Sequence, residues 1–473
     1  MRKTLALLLG APVLYLALAP PLATQSQTQT QTQGQTTTQT TAASTKFYTV
    51  ANPIPNRYIV VLATTDLSAI PAATATPIGS TSKNAQSSTA SAVAPQAGAT
   101  TFDIVAGPAP VDMQVGATAT ALTTQYGGTF SKTWSEALKG FRLHANETQA
   151  ISMSQDSRVA FIVEDGAIAV GTPDTDPIVM TPDPGGFQNP QPTNGSWGLD
   201  RINQRYLPLD KSYQYNNDGG GVNAYVIDTG ILPTHYEFRE RAFVVYDALE
   251  GTGLGVDCNG HGSHVAGIIG GQTFGVAKKV RLLSVRVLNC QGVGTWSDVI
   301  DGVNFVTWHR RQPAQQGIPA VANMSLGGES NRAADAAVRN SIRSGVVYVV
   351  AAGNGNGDVS TYSPAGVTEA ITVGATDRND SRAEFSNYGS TLDLFAPGVS
   401  IPSAWIGDDL MIATASGTSM AAPHVAGVVA QYLQTHRTAS PAAVRSALVS
   451  ASTAEVIRNA GQETPNRLLF SNY

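Results

Sequence analysis

From about residue 197 to Tyr473, short apolar runs alternate with longer segments of helical period. The runs are Asn223-Ala-Tyr-Val-Ile227, Val280 to Leu288, Val321-Ala-Asn-Met-Ser325, Val346-Val-Tyr-Val-Val-Ala-Ala352 and Ala370-Ile-Thr-Val-Gly374. Between them, Ser297 to Arg310 and Ala333 to Ser344 place apolar residues at helical spacing. This succession predicts an α/β fold, a parallel sheet with helices on both faces, whose ligand site lies at the carboxyl ends of the strands.

Upstream the texture differs. Arg57 to Leu62, Leu138 to Leu143 and Arg158 to Val163 read as strands, and Thr118 to Tyr126 and Glu147 to Gln155 as helices. They make a small α+β unit over residues 57–170, broken by an Ala/Thr/Ser/Pro-rich insertion at 64–116. Residues 24–56 open on a tract of mostly Gln, Thr and Ser, which offers nothing to bury and is expected to be disordered. Residues 171–196, rich in Pro, Gly, Asp and Asn, read as an exposed linker. At the start, Met1-Arg-Lys precedes the apolar run Leu5 to Leu18 and the small residues Ala17, Ala19 and Ala23, so residues 1–23 read as a secretory signal. The run is short of the roughly 20 residues that span a bilayer, which favours release outside the cell over a membrane anchor.

Composition narrows the function. Charged residues are 13% of the 473 and apolar residues 42%, which excludes charge-rich disorder and coiled coil. A net charge of −5 without a long basic run gives phosphate backbones little to bind. Two cysteines allow one disulfide at most.

Three strand-end or helix-start motifs carry chemistry. Asp228 follows the first apolar run in Tyr225-Val-Ile-Asp-Thr-Gly-Ile231, His261 stands among glycines in Asn259-Gly-His-Gly-Ser-His264, and Ser419 enters a helix in Ser416-Gly-Thr-Ser-Met-Ala-Ala-Pro-His424. A helix N-terminus aims backbone N–H groups at whatever lies there, so the Ser419 N–H can stabilise an oxyanion. Asn354, just past a buried run in Ala351-Ala-Gly-Asn-Gly355, supplies a second donor. A Cys258, His261, His264 zinc set is the competing reading, but no further ligand cluster accompanies it.

Taken together, in the chain order Asp, His, Asn, Ser, these motifs resemble the subtilisin-like serine peptidases, and within them the proteinase K group and its aqualysin branch. Trp197-Gly-Leu-Asp-Arg-Ile202, Ala322-Asn-Met-Ser-Leu-Gly-Gly328, Phe385-Ser-Asn-Tyr-Gly389 and Pro465-Asn-Arg-Leu-Leu469 extend the likeness over residues 197–470. The resemblance implies a secreted, monomeric serine endopeptidase made as a zymogen, with protein substrates, no nucleic-acid partner and no membrane association after signal removal. Ser419 is then the nucleophile, His261 the general base and acid, Asp228 the group orienting His261, and Asn354 with the Ser419 N–H the oxyanion hole. Substrate would lie as a strand between Gly292-Val293-Gly294 and Ser325-Leu326-Gly327, with Ala351, Ala352 and Gly353 lining an uncharged, apolar-leaning pocket.

The likeness further implies that residues 57–170 are a ferredoxin-like inhibitory propeptide cleaved from the domain at 197–473 within the linker. It implies a Cys258–Cys290 disulfide, against two free thiols as the alternative, while Ser360 and Thr391 stand where a second pair would be. No cofactor is expected for catalysis. Structural calcium is expected on the Asp393 carboxylate with the Thr368 and Ala370 carbonyls, and on a second loop with Asp200, Gln204 and Asp210, where Asn203 replaces a carboxylate. Ser263 stands where the family usually has Thr and keeps the hydroxyl. The rivals are a binding protein on an inactive peptidase fold, which intact motifs disfavour, and an esterase using the same triad.

Overall fold

The computed structural model describes residues 46–63, 112–170, 196–249 and 255–473. The signal, the Gln/Thr tract, most of the insertion and nearly all of the linker lie outside these residues.

In the N-terminal unit the chain runs β1 (Phe47–Tyr48), β2 (Pro53–Leu62), α1 (Met113–Tyr126), β3 (Thr129–Trp134), β4 (Gly140–His144), α2 (Glu147–Ser154) and β5 (Val159–Ala169). The sheet order β1-β5-β2-β4-β3, with both helices on one face, is the ferredoxin-like split βαβ arrangement. The structure moves two boundaries from those expected. Strands of this unit include residues before 57, because β1 pairs with β5 and Pro53 to Asn56 extend β2. Helix α1 starts at Met113, inside the expected insertion, because Asp112 Oδ1 caps it by accepting from the Gln114 N–H at 2.8 Å. Strand β3 carries no clear sequence signal because its six residues split their apolar side chains, Phe130 to this unit's core and Trp134 to a different one.

The larger unit runs α3 (Trp197–Ile202), β6 (Asn223–Asp228), β7 (Ala242–Asp247), α4 (His261–Gly270), β8 (Arg281–Arg286), β9 (Val293–Thr295), α5 (Trp296–Arg311), β10 (Ala320–Met324), β11 (Gly328–Glu329), α6 (Arg332–Arg343) and β12 (Val347–Ala351). It continues through β13 (Tyr362–Ser363), β14 (Ile371–Thr376), β15 (Leu394–Pro397), the hairpin β16 (Ile401–Ala404) and β17 (Ile412–Ala415), α7 (Thr418–Thr435), α8 (Pro441–Ala451), β18 (Thr453–Ala454) and β19 (Arg467–Leu468). The main sheet has the order β18-β19-β15-β14-β12-β10-β6-β8-β7 and is parallel apart from the β18–β19 edge.

Alternation along the central strands makes this a three-layer fold. Ala224 and Val226 of β6 join Val321 and Val349 in a core with α4 and α7, while Tyr225 and Ile227 join Ala322, Tyr348 and Val350 in a second core with α5 and α6. Each fully buried aliphatic side chain contributes about 1.5–3 kcal/mol, so two full faces hold the sheet rigid behind the site. The N-terminal unit adds Ile59, Trp134, Leu138 and Val163 to the α5/α6 face. Strand β6 lies where connections diverge, to β8 and β7 on one side and to β10 and beyond on the other. Asp228 ends β6 at that switch point.

Candidate active site

Three chain segments bring the chemistry together. Asp228 is fully buried, and its Oδ1 accepts from the Thr229 N–H at 2.7 Å. His261 is the first residue of α4, and its Nδ1 lies 2.8 Å from Asp228 Oδ1. That contact occupies Nδ1 and leaves Nε2 as the ring nitrogen for substrate chemistry. Burial alone would lower the His261 pKa. The Asp228 charge and hydrogen bond, with a further contribution from Asp257, outweigh it and raise the pKa above 6.5. One turn along, buried His264 goes the other way, down to about 3, and its Nε2 lies 3.1 Å from the Ala413 carbonyl.

Ser419 is the second residue of α7 and is 5% exposed. Its hydroxyl donates to the Ser325 carbonyl at 3.2 Å, while the Ser325 hydroxyl donates to the Ser419 carbonyl at 2.8 Å. The two serines are thereby tied to each other across the start of α7. Asn354 is oriented by Thr418, whose N–H and hydroxyl donate to Asn354 Oδ1 at 2.9 and 2.8 Å. This leaves the Asn354 Nδ2 donor beside the start of α7.

Beside Asn354 and Ser419 lies a cavity of about 150 Å³. The structure brings Leu326, Gly327, Ala351, Ala352, Gly353, Asn354 and Ser419 together around it, and with them Tyr362, Ser363 and Ala365, which no sequence motif singles out. Gly353 has φ +97°, and a Cβ there would come within 2.6 Å of Asn387 Nδ2, so this wall requires glycine. Asn387 was also missed as a site residue, although it stands in the Phe385-Ser-Asn-Tyr-Gly389 motif. Buried, it donates to the Ala352 carbonyl at 2.8 Å and accepts from Gly355 and Gly357, fixing the loop that carries Asn354.

The expected substrate segments are already paired. β9 pairs antiparallel with Ala167 to Ala169 of β5, Gly327 bridges to Ala169 from the other side, and the Val170 N–H donates to the Gly292 carbonyl at 2.9 Å. The end of the N-terminal unit thus lies as a strand between the two segments. The arrangement can activate a hydroxyl, hold an oxyanion and bind an extended chain.

Cys258 and Cys290 form a disulfide, and no cysteine remains free. It joins the His261 loop to the segment leading into β9. Cys258 of the alternative Cys258, His261, His264 set is thus held in the disulfide, and no group of three or more His, Cys, Asp or Glu suited to a metal occurs among the described residues.

The subtilase family model matches residues 219–469. The chain belongs to the subtilase family. This subtilase is 49% identical over 350 residues to an extracellular serine proteinase of Thermus sp. (strain Rt41A), covering 73% of this chain and 79% of the relative. It is 47% identical over 336 residues to the alkaline serine exoprotease A of Vibrio alginolyticus, covering 71% of this chain and 59% of that one. A crystal structure of a cold adapted subtilisin-like serine proteinase is 50% identical, with a TM-score of 0.56, and spans 59% of this subtilase and 100% of that chain. The subtilase is accordingly a serine protease of subtilisin-like α/β fold, and subtilases need no catalytic cofactor.

Proposed function

We propose that this subtilase is a secreted endopeptidase that hydrolyses peptide bonds through an acyl-enzyme on Ser419. The observations that carry the reading are the 2.8 Å contact of Asp228 with His261 Nδ1 and the place of Ser419 at the N-terminus of buried helix α7, which shares a core with the helix that His261 opens. His261 Nε2 takes the Ser419 proton as Oγ attacks the scissile carbonyl carbon. Asn354 Nδ2 and the Ser419 N–H hold the resulting oxyanion. The tetrahedral adduct collapses as His261 returns the proton to the leaving amine, and water repeats the cycle on the acyl-enzyme. The small, uncharged cavity favours apolar side chains before the scissile bond. Secretion rests on the leader pattern of residues 1–23 and on the extracellular relatives. No helix among the described residues is long and apolar enough to cross a membrane.

Residues 57–170 act as an intramolecular inhibitor, because Ala167 to Val170 lie in the substrate strand position. Cleavage within residues 171–196 makes the zymogen an enzyme. Intact mass before and after a fluorophosphonate tests the reading. A single adduct on processed protein that also degrades casein is expected; a folded, processed chain with neither would overturn it. Comparing rates on a peptide and on its matched ester separates the peptidase from an esterase.

Replacing Asn354 by Leu should lower kcat by about 10²–10³-fold with KM nearly unchanged, the size known for an oxyanion donor of subtilisin itself. Steady-state kinetics on a chromogenic peptide checks it. A rise in KM at unchanged kcat would instead place Asn354 in substrate binding.

The two calcium expectations fare differently. Asp393 Oδ1 is held by Arg445, at 2.8 Å from Nε and 2.6 Å from a terminal nitrogen, and Oδ2 accepts from the Thr372 N–H. The carboxylate already has a cationic partner, which weakens the case for a divalent ion at this set relative to the second loop. In the other loop, Asp200 and Asp210 lie together: burial raises the Asp200 pKa first, and the Asp210 carboxylate raises it further. Asp200 Oδ1 and Gln204 Oε1 both accept from the Asp210 N–H at 3.3 Å. Converging oxygens with excess negative charge fit calcium. Adding calcium at a hundredfold above its Kd to chelated protein should raise Tm by about 5–10 °C, and Asp210→Asn should remove most of the gain. An unchanged Tm would exclude the site.

A further inference from the structure

Asp257 lies in the loop before α4, 5% exposed, and its two oxygens accept five hydrogen bonds. Oδ1 takes the Thr229 hydroxyl and the Asn259 and Gly260 N–H groups, each at 2.9 Å. Oδ2 takes the Ser263 N–H at 2.9 Å and the Ser263 hydroxyl at 2.7 Å. The two hydroxyls are themselves spoken for on their acceptor side: Thr229 Oγ1 accepts from the Gly262 N–H at 2.9 Å, and Ser263 Oγ accepts from the Leu232 N–H at 2.9 Å. Their directions are therefore fixed, each donating to Asp257.

These bonds join two backbone segments. One is the turn from Asp228 to Leu232, which carries one triad member; the other is the first turn of α4, which carries His261. The segments meet too closely for side chains between them. A Cβ on Gly230, at φ +116°, would come within 2.7 Å of the Asp257 backbone nitrogen, and one on Gly262 would strike the Gly230 carbonyl oxygen. With no side chain to fill the contact, the carboxylate does the joining. An acceptor-only group suits this place, since every neighbour presents a donor.

We propose that Asp257 is a positioning residue of the catalytic triad, clamping the Asp228 turn to the His261 helix and stabilising the imidazolium that forms during acyl transfer. The inference rests on the Asp228–His261–Ser419 reading above. The titratable groups that act on His261 are Asp228 on β6, Asp257 in the preceding loop and His264 one turn along α4. His264 is held neutral by burial, so the two carboxylates are the charges that act on the ring. Consistent with this, the Asp257 charge adds to that of Asp228 in raising the His261 pKa.

The test is a pair of variant types in the full-length chain, assayed after incubation to constant activity on a chromogenic peptide. Asp257→Asn removes the charge and turns an N–H toward a donor. It is expected to lower kcat by about 10²-fold through displacement of His261, with little change in KM, and to move the acid limb of kcat/KM to lower pH. Thr229→Val and Ser263→Ala keep the charge and each remove one strut. They are expected to lower kcat with the acid limb unmoved, and they decide the matter if the Asn variant does not fold. Folded variants with wild-type kcat and an unshifted acid limb would overturn the inference while Ser419 in the wild type is still labelled by a fluorophosphonate. If wild-type Ser419 is not labelled, the triad reading falls and this inference with it.

Discussion

Ser419→Ala is expected to abolish fluorophosphonate labelling and to lower kcat by about 10⁶-fold, the size known for loss of the nucleophile in subtilisin itself. Nothing else in the site can take over the attack. The neighbouring hydroxyls are committed elsewhere: Ser325 Oγ donates to the Ser419 carbonyl, and Thr418 Oγ1 donates to Asn354. The fold should survive the exchange, since the lost bond to the Ser325 carbonyl is a long 3.2 Å contact and the rest of α7 packs on the sheet through Met420, Ala421 and Val425. A mutant of unchanged Tm without activity would leave Ser419 as the nucleophile. Because residues 171–196 are proposed to be cut by this same centre, the variant should also accumulate at unprocessed mass. Retained casein hydrolysis in a pure sample would refute the assignment.

Much of this site was legible because each principal residue sits at the end of an element whose signal is strong. Asp228 terminates a run whose alternate residues feed two cores, and Ser419 starts a helix of small residues with a buried valine stripe, so position in the fold followed from pattern alone. What was missed lies on segments with no period to read. Tyr362 and Ser363 form the two-residue strand β13, too short to show a period, and its pairing with β11 accompanies their place, with Ala365, at the cavity. Strand β7 has an apolar sequence, yet as an edge strand it is only half-buried, and no turn signal separated it from the loops around it. Arg445 and Asp393 are 52 residues apart, so their pairing depends on where α8 packs rather than on any local motif. Asn387 and Asp257 are of a similar kind. Each works through hydrogen bonds to loop segments whose proximity is set by the fold, a role that leaves no period in the sequence.

Asp228→Asn should cost about 10⁴-fold in kcat, the size known for the same exchange in a trypsin-type triad. The geometry supplies the reason. Asp228 Oδ1 accepts from both the Thr229 N–H and His261 Nδ1, whereas Oδ2 is buried without a hydrogen-bond partner. If the amide oxygen keeps the Oδ1 place, two N–H groups are buried at Oδ2 with nothing to accept them. If the amide flips, its N–H opposes the Thr229 N–H and forces His261 to accept at Nδ1, which puts the ring proton on Nε2 and removes the base. The charge is lost in both cases, and its loss can be read separately from the geometry. In the wild type, His261 must be neutral to accept the Ser419 proton, so kcat/KM rises with pH through its raised pKa and the acid limb lies above pH 6.5. Without the Asp228 charge, burial dominates, the neutral ring is favoured, and the limb should move to lower pH even as the plateau collapses. A folded Asn variant within tenfold of wild-type kcat, with its acid limb in place, would remove Asp228 from the triad.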